Sequence, residues 1–262
     1  YINMLFINTR PQDRAKPLTV ALQQQFIEVI ELPLLELIAR PLSSELTYLY
    51  QQLFSAKVIV VVSPTADEIG MKYLKQLDIQ LADLAHLKWI AVGQKTAESL
   101  LDYGVESFIP DVETSEGMLN LSVLKSLDTQ TEIAFWRGEG GRQFMMDTLM
   151  SEGHKVLNFI LYERQCPEQS KQDIETIKQR LIQSPSYKMV VSSEASWLNW
   201  IELIQNNRDI LNKADYWVLG ERLFQLLLND QKQNKLSFKI TKLANLKIDS
   251  IMQQIIVAQG KS

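Results

Sequence analysis

The stretch "TEIAFWRGEGGRQFMMDTLMSEGHKVLNFILY", residues 131–162, contains the clearest fold signal in the sequence. An apolar run ends at Arg137, a glycine-rich loop follows, and apolar residues then recur at helical spacing up to Gly153. A second apolar run begins soon after that glycine. Strand, loop, helix and strand in this order are typical of parallel sheets covered by helices. The stretch therefore predicts an α/β fold with a parallel sheet.

The alternation continues along the chain, and parts of it repeat. "VVVSPTAD" resembles "MVVSSEAS", and "LFINTRP" resembles "IAFWRGEGGR", so the modules run in the order A, B, A′, B′. Such a repeat predicts two similar α/β domains. Prolines gather where the modules change. The stretches 35–44 and 162–170 are therefore the candidate interdomain crossings.

Composition limits the function. The chain has 262 residues, 46% of them hydrophobic, and a formal net charge of −4, which argues against a general nucleic-acid binder. The apolar runs are too short to cross a bilayer, so no membrane contact is expected. The single cysteine, Cys166, allows no intrachain disulfide and no cysteine metal cluster. A cytoplasmic setting is expected.

The glycine-rich loop lacks both standard nucleotide fingerprints. It has no Gly-Lys-Ser or Gly-Lys-Thr ending, and Gly138, Gly140 and Gly141 are too close together for a Rossmann motif. What remains is a run of backbone donors at a helix start, flanked by Arg137 and Arg142, which can each grip a carboxylate. A purely structural tight turn is the alternative that the pattern leaves open.

Several other loops follow strands or begin helices at the expected carboxyl edge of a sheet, where ligands of open α/β sheets bind. Each is by itself typical of an ordinary helix cap, and Ser115 is predicted to be such a cap. Together they predict a cleft lined by hydroxyls and backbone donors. The predicted binding residues are Thr9, Arg10, Ser63, Pro64, Thr65, Gly93, Thr96, Ser115, Gly117, Arg137, Gly138, Gly141, Arg142, Ser192 and Ser193.

Conventional catalytic groups are sparse. His86 and His154 lie at element boundaries in polar surroundings, and both are predicted to be surface residues. They are too far apart in the sequence to suggest a metal site. Tyr162, in "ILYER", ends a predicted strand just before the second crossing. It is the catalytic candidate, and a structural tyrosine is the equally open alternative.

The order and spacing of these motifs resemble those of uroporphyrinogen-III synthases. The resemblance rests on "TRP", "VVVSPTA", "AVGQKTAESLLDYGV", "SEGML", "RGEGGRQFMMDTLMSEGHKV", "LYER", "VVSSEASWLNWI" and "VLGERL". It covers nearly the whole chain, from Phe6 to about Leu226. One departure is "GERLF", residues 220–224, where the family often has a threonine, so no threonine contact is transferred there.

The resemblance implies two Rossmann-like, flavodoxin-like domains with parallel sheets, joined by a two-stranded crossing. We expect residues 1–36 with 168–262 to form a discontinuous first domain, residues 43–158 a second, and 37–42 and 159–167 the crossings. The resemblance also implies a cofactor-independent lyase. Its substrate would be hydroxymethylbilane, a linear tetrapyrrole with an acetate and a propionate on each ring. Enzymes of the family close this linear tetrapyrrole to uroporphyrinogen III with loss of water. The reaction passes through an azafulvene and then a spiro intermediate, by which the last pyrrole is inverted. Tyr162 would assist departure of the hydroxyl. The resemblance also carries the expectation of a monomer, and of transient contact with the enzyme that supplies hydroxymethylbilane.

Two other functions fit the same cleft. One is a non-enzymatic two-lobed anion-binding protein, against which the absence of an export signal before Met4 counts. The other is a nucleotide-sugar glycosyltransferase, against which the short chain and the missing acidic partner for a ribose count.

Overall fold

The computed structural model describes residues 3–260, so positions 1, 2, 261 and 262 of the expected first domain lie outside the described residues. The strands are β1 (Leu5–Asn8), β2 (Glu28–Glu31), β3 (Glu36–Ala39), β4 (Val58–Val61), β5 (Lys88–Ala91), β6 (Glu132–Gly138), β7 (Lys155–Gln165), β8 (Tyr187–Val191), β9 (Ala214–Leu219) and β10 (Lys239–Leu243). The α-helices are α1 (Lys16–Gln23), α2 (Ser44–Gln52), α3 (Pro64–Gln76), α4 (Gln94–Asp102), α5 (Ser115–Leu119), α6 (Ser122–Lys125), α7 (Gln143–Ser151), α8 (Glu168–Gln183), α9 (Glu194–Leu203), α10 (Arg208–Asn212), α11 (Gly220–Gln233) and α12 (Ile248–Gln259). No helix among these is both long and apolar enough to cross a membrane.

The first compact unit contains the chain up to Glu36 and again from Gln165 onward. Its strands lie in the order β2-β1-β8-β9-β10, and all neighbours are parallel. Numbered within the unit, this is the order 2-1-3-4-5 of flavodoxin-like folds. The strand order reverses between β1 and β8, so the loops that follow these two strands lie on either side of the switch point of this sheet.

The second unit spans Leu37–Arg164. Its order is β5-β4-β6-β7-β3, with β5, β4, β6 and β7 running parallel. The pattern is again 2-1-3-4-5 when β4 is counted first, and β3 fills the fifth place. The two segments expected to be crossings thus supply β3 and the end of β7, which are neighbours at one edge of this sheet. The predicted α/β class with two parallel-sheet domains is confirmed.

The apolar runs form strands that are buried on both faces. All four residues of β1 and of β4 are buried, as expected for strands covered by helices on each side. In the second unit, Gly70 lets α3 approach β6 closely, because a Cβ there would lie 2.2 Å from Cε3 of Trp136. In the first unit, Trp197 and Trp200 are fully buried around Tyr216.

One carboxyl group is buried in the second unit. Asp67, on α3, is fully shielded from solvent and accepts a hydrogen bond of 2.5 Å from Ser99 Oγ on α4. Its other oxygen has no hydrogen-bond partner among the described residues. Burial, with a smaller contribution from the nearby Asp102 and Glu68 carboxylates, raises the pKa of Asp67 to about 6, although the Ser99 hydrogen bond acts in the opposite direction.

This burial makes stability depend on pH. Because the pKa of Asp67 is higher in the folded state than in the unfolded state, the folded chain binds the proton more tightly. The free energy of unfolding therefore falls as the pH rises from about 4 to about 6. We expect Asp67→Asn to gain stability relative to the parent protein over that range, on the order of 2 kcal/mol. Urea unfolding at pH 4 and pH 7.5 measures the difference. Asp111→Asn, at an exposed position of the same unit, is the control, and an equal pH response in both variants would contradict the assignment.

Candidate functional site

The loop after β6 is held by a buried arginine. Arg137 is 4% exposed, although it lies at the end of a strand next to solvent-exposed loop residues. Its guanidinium donates to the carbonyl of Gly141 and, at 3.2 Å, to Asn158 Oδ1 on β7. Its Nε has no acceptor among the described residues. Arg137 is therefore a buried cation that holds the loop, and it has no carboxylate partner within residues 3–260.

Gly138 and Tyr162 form the second contact. The register between β6 and β7 shifts here, since Arg137 pairs with Ile160 but Gly138 pairs with Tyr162. A Cβ at Gly138 would lie 2.2 Å from the Tyr162 ring, so only glycine fits. Tyr162 is 2% exposed, and its hydroxyl lies 3.0 Å from Ser63 Oγ. These residues join the loops that follow β4 and β6, where the strand order of this sheet reverses.

Helix α7 begins without a side-chain cap. Gly140, Gly141 and Arg142 all have left-handed φ values, of 78°, 77° and 59°. Arg142 is the residue before the helix, and its side chain does not cap it. Within residues 3–260, no backbone or side-chain group accepts a hydrogen bond from the amides of Gly140, Gly141 or Arg142. Free donors at a helix start suit an anion, because the helix dipole adds to them.

Arg142 also contacts the start of helix α5. Arg142 Nη1 lies 3.4 Å from Ser115 Oγ, which it contacts as a donor. The prediction that Ser115 caps its helix is wrong, because Thr114 accepts from the amide of Gly117 at 3.0 Å and Ser115 is the first helical residue. Gly117 itself is closely packed, since a Cβ there would lie 2.1 Å from the carbonyl oxygen of Val112.

The start of α4 is already occupied by a carboxylate of the chain. Glu113 accepts a hydrogen bond of 3.3 Å from the amide of Gln94, and a Cβ on Gly93 would lie 2.9 Å from the same carboxyl group. Thr96 is 3% exposed. Pro64 and Thr65 form the first turn of α3, which Ser63 caps by accepting from Ala66 N at 3.0 Å. Of these helix starts, only that of α7 lacks an acceptor within the described residues.

The first unit places four predicted residues at the carboxyl edge of its own sheet. Thr9, which is 8% exposed, donates to the carbonyl of Val190 at 2.5 Å. Arg10 donates to the carbonyl of Leu246 at 3.0 Å. Ser193 caps α9, and Ser192 is exposed beside it. They follow β1 and β8, the strands between which the order of this sheet reverses.

Burial also sets the electrostatics of the loop. It lowers the pKa of both arginines from the ordinary guanidinium value, and for Arg137 the neighbouring Arg164 acts in the same direction while Tyr162 opposes it. A guanidinium remains charged at neutral pH despite such a shift. The lowered pKa values indicate that these cations gain less stabilisation from the protein than water would give them, which favours a bound anion.

Several contacts were not predicted from the sequence. Asn158 and Glu113 contribute to the loops, yet each stands in a stretch with no distinguishing motif. The expectation of a surface His154 is wrong, since that side chain, just after α7, is 9% exposed. Among the described residues, no group of three or more His, Cys, Asp or Glu side chains is placed to hold a metal ion.

Comparison with solved structures finds the same fold. A mutant uroporphyrinogen III synthase from the extremely thermophilic bacterium Thermus thermophilus is 14% identical, with 99% of this chain and 100% of that chain covered and a TM-score of 0.66. The uroporphyrinogen-III synthetase of Helicobacter pylori is 9% identical, with 98% and 99% covered and a TM-score of 0.58. At these identities the likeness establishes the fold.

The family is given by sequence. The family model described as "Uroporphyrinogen-III synthase HemD" matches residues 16–235, which is most of the chain and includes the whole of the second unit. It confirms the resemblance carried by the sequence motifs, and it does not favour the anion-binding protein or the glycosyltransferase. The chain belongs to the uroporphyrinogen-III synthase family.

Proposed function

We propose that this chain closes hydroxymethylbilane to uroporphyrinogen III as a lyase, with loss of water and inversion of the terminal pyrrole ring. Family membership supports this reaction and gives the chain a function in haem biosynthesis. The observation that carries the choice of site is the uncapped start of α7, where free amides lie beside a buried Arg137 that lacks a counterion among the described residues. A carboxylate-rich substrate supplies the anion that both features lack.

The proposed binding groups of the second unit lie along the carboxyl edge of its sheet. Arg142 is half-buried and, within residues 3–260, makes only one long hydrogen bond to a side chain, so its guanidinium is available to bind a carboxylate. Arg137 positions the loop by donating a hydrogen bond to the carbonyl of Gly141. The other proposed contacts in this unit are Ser63, Pro64, Thr65, Gly93, Thr96, Ser115, Gly117, Gly138 and Gly141.

The first unit contributes proposed contacts of its own. Thr9, Arg10, Ser192 and Ser193 follow the two central strands of that sheet, and helix α9 starts at the two serines. Ser192 and the half-buried Arg10 leave donors near solvent, whereas the Thr9 hydroxyl is engaged by Val190. A substrate with carboxylates on every ring can use many such donors, each of moderate strength.

The reaction depends more on how the substrate is positioned than on a strong acid or base. Hydroxymethylbilane is electron-rich and can cyclise unaided to the uninverted isomer, so the enzyme must hold the ends in the arrangement that inverts the last ring. Positioning can contribute on the order of 7 to 11 kcal/mol to such a step. We propose Tyr162 as the donor that assists hydroxyl departure, oriented by Ser63, and we propose that no cofactor or metal takes part.

Further proposals concern the setting of the reaction. We propose a cytoplasmic monomer that receives its substrate through transient contact with the enzyme producing hydroxymethylbilane. The acidic formal charge of −4 and the sparse cysteine content are compatible with that setting. No contact with nucleic acid or membrane is part of the proposal.

The reaction is tested by product analysis. Purified protein is supplied with hydroxymethylbilane, the products are oxidised, and type I and type III isomers are resolved. We expect type III to dominate, because the spontaneous reaction gives type I. A product mixture no richer in type III than the protein-free reaction would contradict the proposed function.

The role of Tyr162 is tested by removing only its hydroxyl. Tyr162→Phe keeps the ring that packs on Gly138, so we expect the fold to survive while kcat for the type III isomer falls roughly a hundredfold. Tyr48→Phe, at a position that is 65% exposed on α2, is the matched control and should retain full activity. Full activity in both variants would remove Tyr162 from the mechanism.

The role of Arg142 is tested by removing its charge. We expect Arg142→Gln to raise KM for hydroxymethylbilane about tenfold, the loss of one charge-assisted hydrogen bond, with thermal stability nearly unchanged. Arg208→Gln, which changes an exposed arginine of the first unit, is the control. If KM is the same in both variants, Arg142 has only a structural role.

A further inference from the structure

Arg164 stands outside the predicted binding residues but touches the loop that contains them. Its Nη1 donates to the carbonyl of Glu139 at 2.8 Å. Its guanidinium carbon also lies 5.9 Å from the centre of the Tyr162 ring, within reach of a cation–π contact. One exposed side chain therefore contacts both the glycine loop and the proposed catalytic residue.

The direction of the contact is informative. A trans peptide places its carbonyl oxygen and its amide hydrogen on opposite sides, and the described residues contain no cis peptide. Since Arg164 holds the carbonyl of Glu139, the amide of Gly140 points away from Arg164. Since Arg137 holds the carbonyl of Gly141, the amide of Arg142 points away from Arg137. The two arginines thus aim two of the free amides.

The neighbouring contacts support a fixed loop start. The amide of Glu139 donates to the carbonyl of Tyr162 at 2.8 Å, and the Glu139 carboxylate lies 4.0 Å from Arg40. Glu139 is thereby held by its amide, its carbonyl and its side chain. Of the left-handed residues that follow, Gly141 is held through its carbonyl by Arg137, and Arg142 through its carbonyl, which accepts from the Met146 amide at 3.1 Å, and through its side-chain contact with Ser115. Arg164 holds the point from which the free amides extend.

We propose that Arg164 is a positioning residue for the synthase reaction, which holds the carbonyl of Glu139 so that the amide of Gly140 faces a substrate carboxylate. This inference rests on the proposed function of the loop. Arg164 itself does not touch the substrate. Its removal is expected to weaken binding in both the ground state and the transition state, since the amide contact is present throughout the reaction.

The test compares Arg164→Gln with Arg208→Gln. Arg208 is a matched control because it is also exposed and donates to two turn carbonyls, those of Asn234 and Lys235, beside a residue with positive φ. We expect Arg164→Gln to raise KM for hydroxymethylbilane about fivefold with kcat within about twofold, and Arg208→Gln to change neither. Arg164→Lys should recover part of the loss, because lysine can still donate to one carbonyl.

A structural role would give another pattern. If Arg164 only stabilised the fold, the variant would lose kcat in proportion to its unfolded fraction, with KM unchanged, and that result would overturn the proposal. Amide hydrogen exchange gives a second readout that does not depend on activity. We expect the Glu139 amide to exchange about tenfold faster in Arg164→Gln than in Arg208→Gln.

The outcomes separate the two proposals. A parent protein that forms no excess of type III contradicts the proposed function, whereas faster exchange at Glu139 in that case would still support the contact between Arg164 and the loop. A parent protein that forms type III, together with unchanged KM and unchanged exchange in Arg164→Gln, overturns the role of Arg164 alone.

Discussion

The hydrogen bonds of the buried Arg137 guanidinium are the interactions on which the candidate site depends. The guanidinium is nearly inaccessible to water, and within the described residues it is satisfied only by a carbonyl and an amide oxygen. A buried cation without a carboxylate is costly unless an anion comes close during function. Its bond to Gly141 also fixes the loop that presents free amides at the start of α7. Charge and loop geometry therefore have one origin.

The strand order explains why this loop occupies that place. In a 2-1-3-4-5 sheet the loops after the two central strands diverge, and a ligand-binding crevice forms where they separate. Both units have this order. In the second unit the fifth position is taken by β3, which precedes the other four strands in the chain. In the second unit Ser63 follows one central strand and Arg137 ends the other, while Tyr162 on the next strand contacts the Ser63 hydroxyl. The fold thus assembles the site from short sequence elements that lie far apart in the chain.

The fold class can be predicted well from the sequence, because apolar runs and helix-ending glycines are strong local signals. Apolar runs such as β1 and β4 and the glycine that ends α7 are readable without tertiary information. The site is less readable, because its residues act through partners. Nothing near Arg137 in the chain indicates that its guanidinium turns back onto Gly141, and nothing in "LYER" indicates that Arg164 reaches the carbonyl of Glu139. The predicted N-cap at Ser115 is wrong by one residue because Thr114 and Ser115 have equivalent hydroxyls.

We propose that the loop after β6 offers its amides to a carboxylate. Amide NMR spectra of the labelled protein, recorded while a tetrapyrrole polycarboxylate is added, test this claim directly. We expect saturable shifts for the amides of Gly140 and Arg142, while the signals of Gly104 and Gly153, which also have positive φ in the same unit, keep their positions. Unchanged Gly140 and Arg142 signals at a saturating concentration of ligand would contradict this proposal.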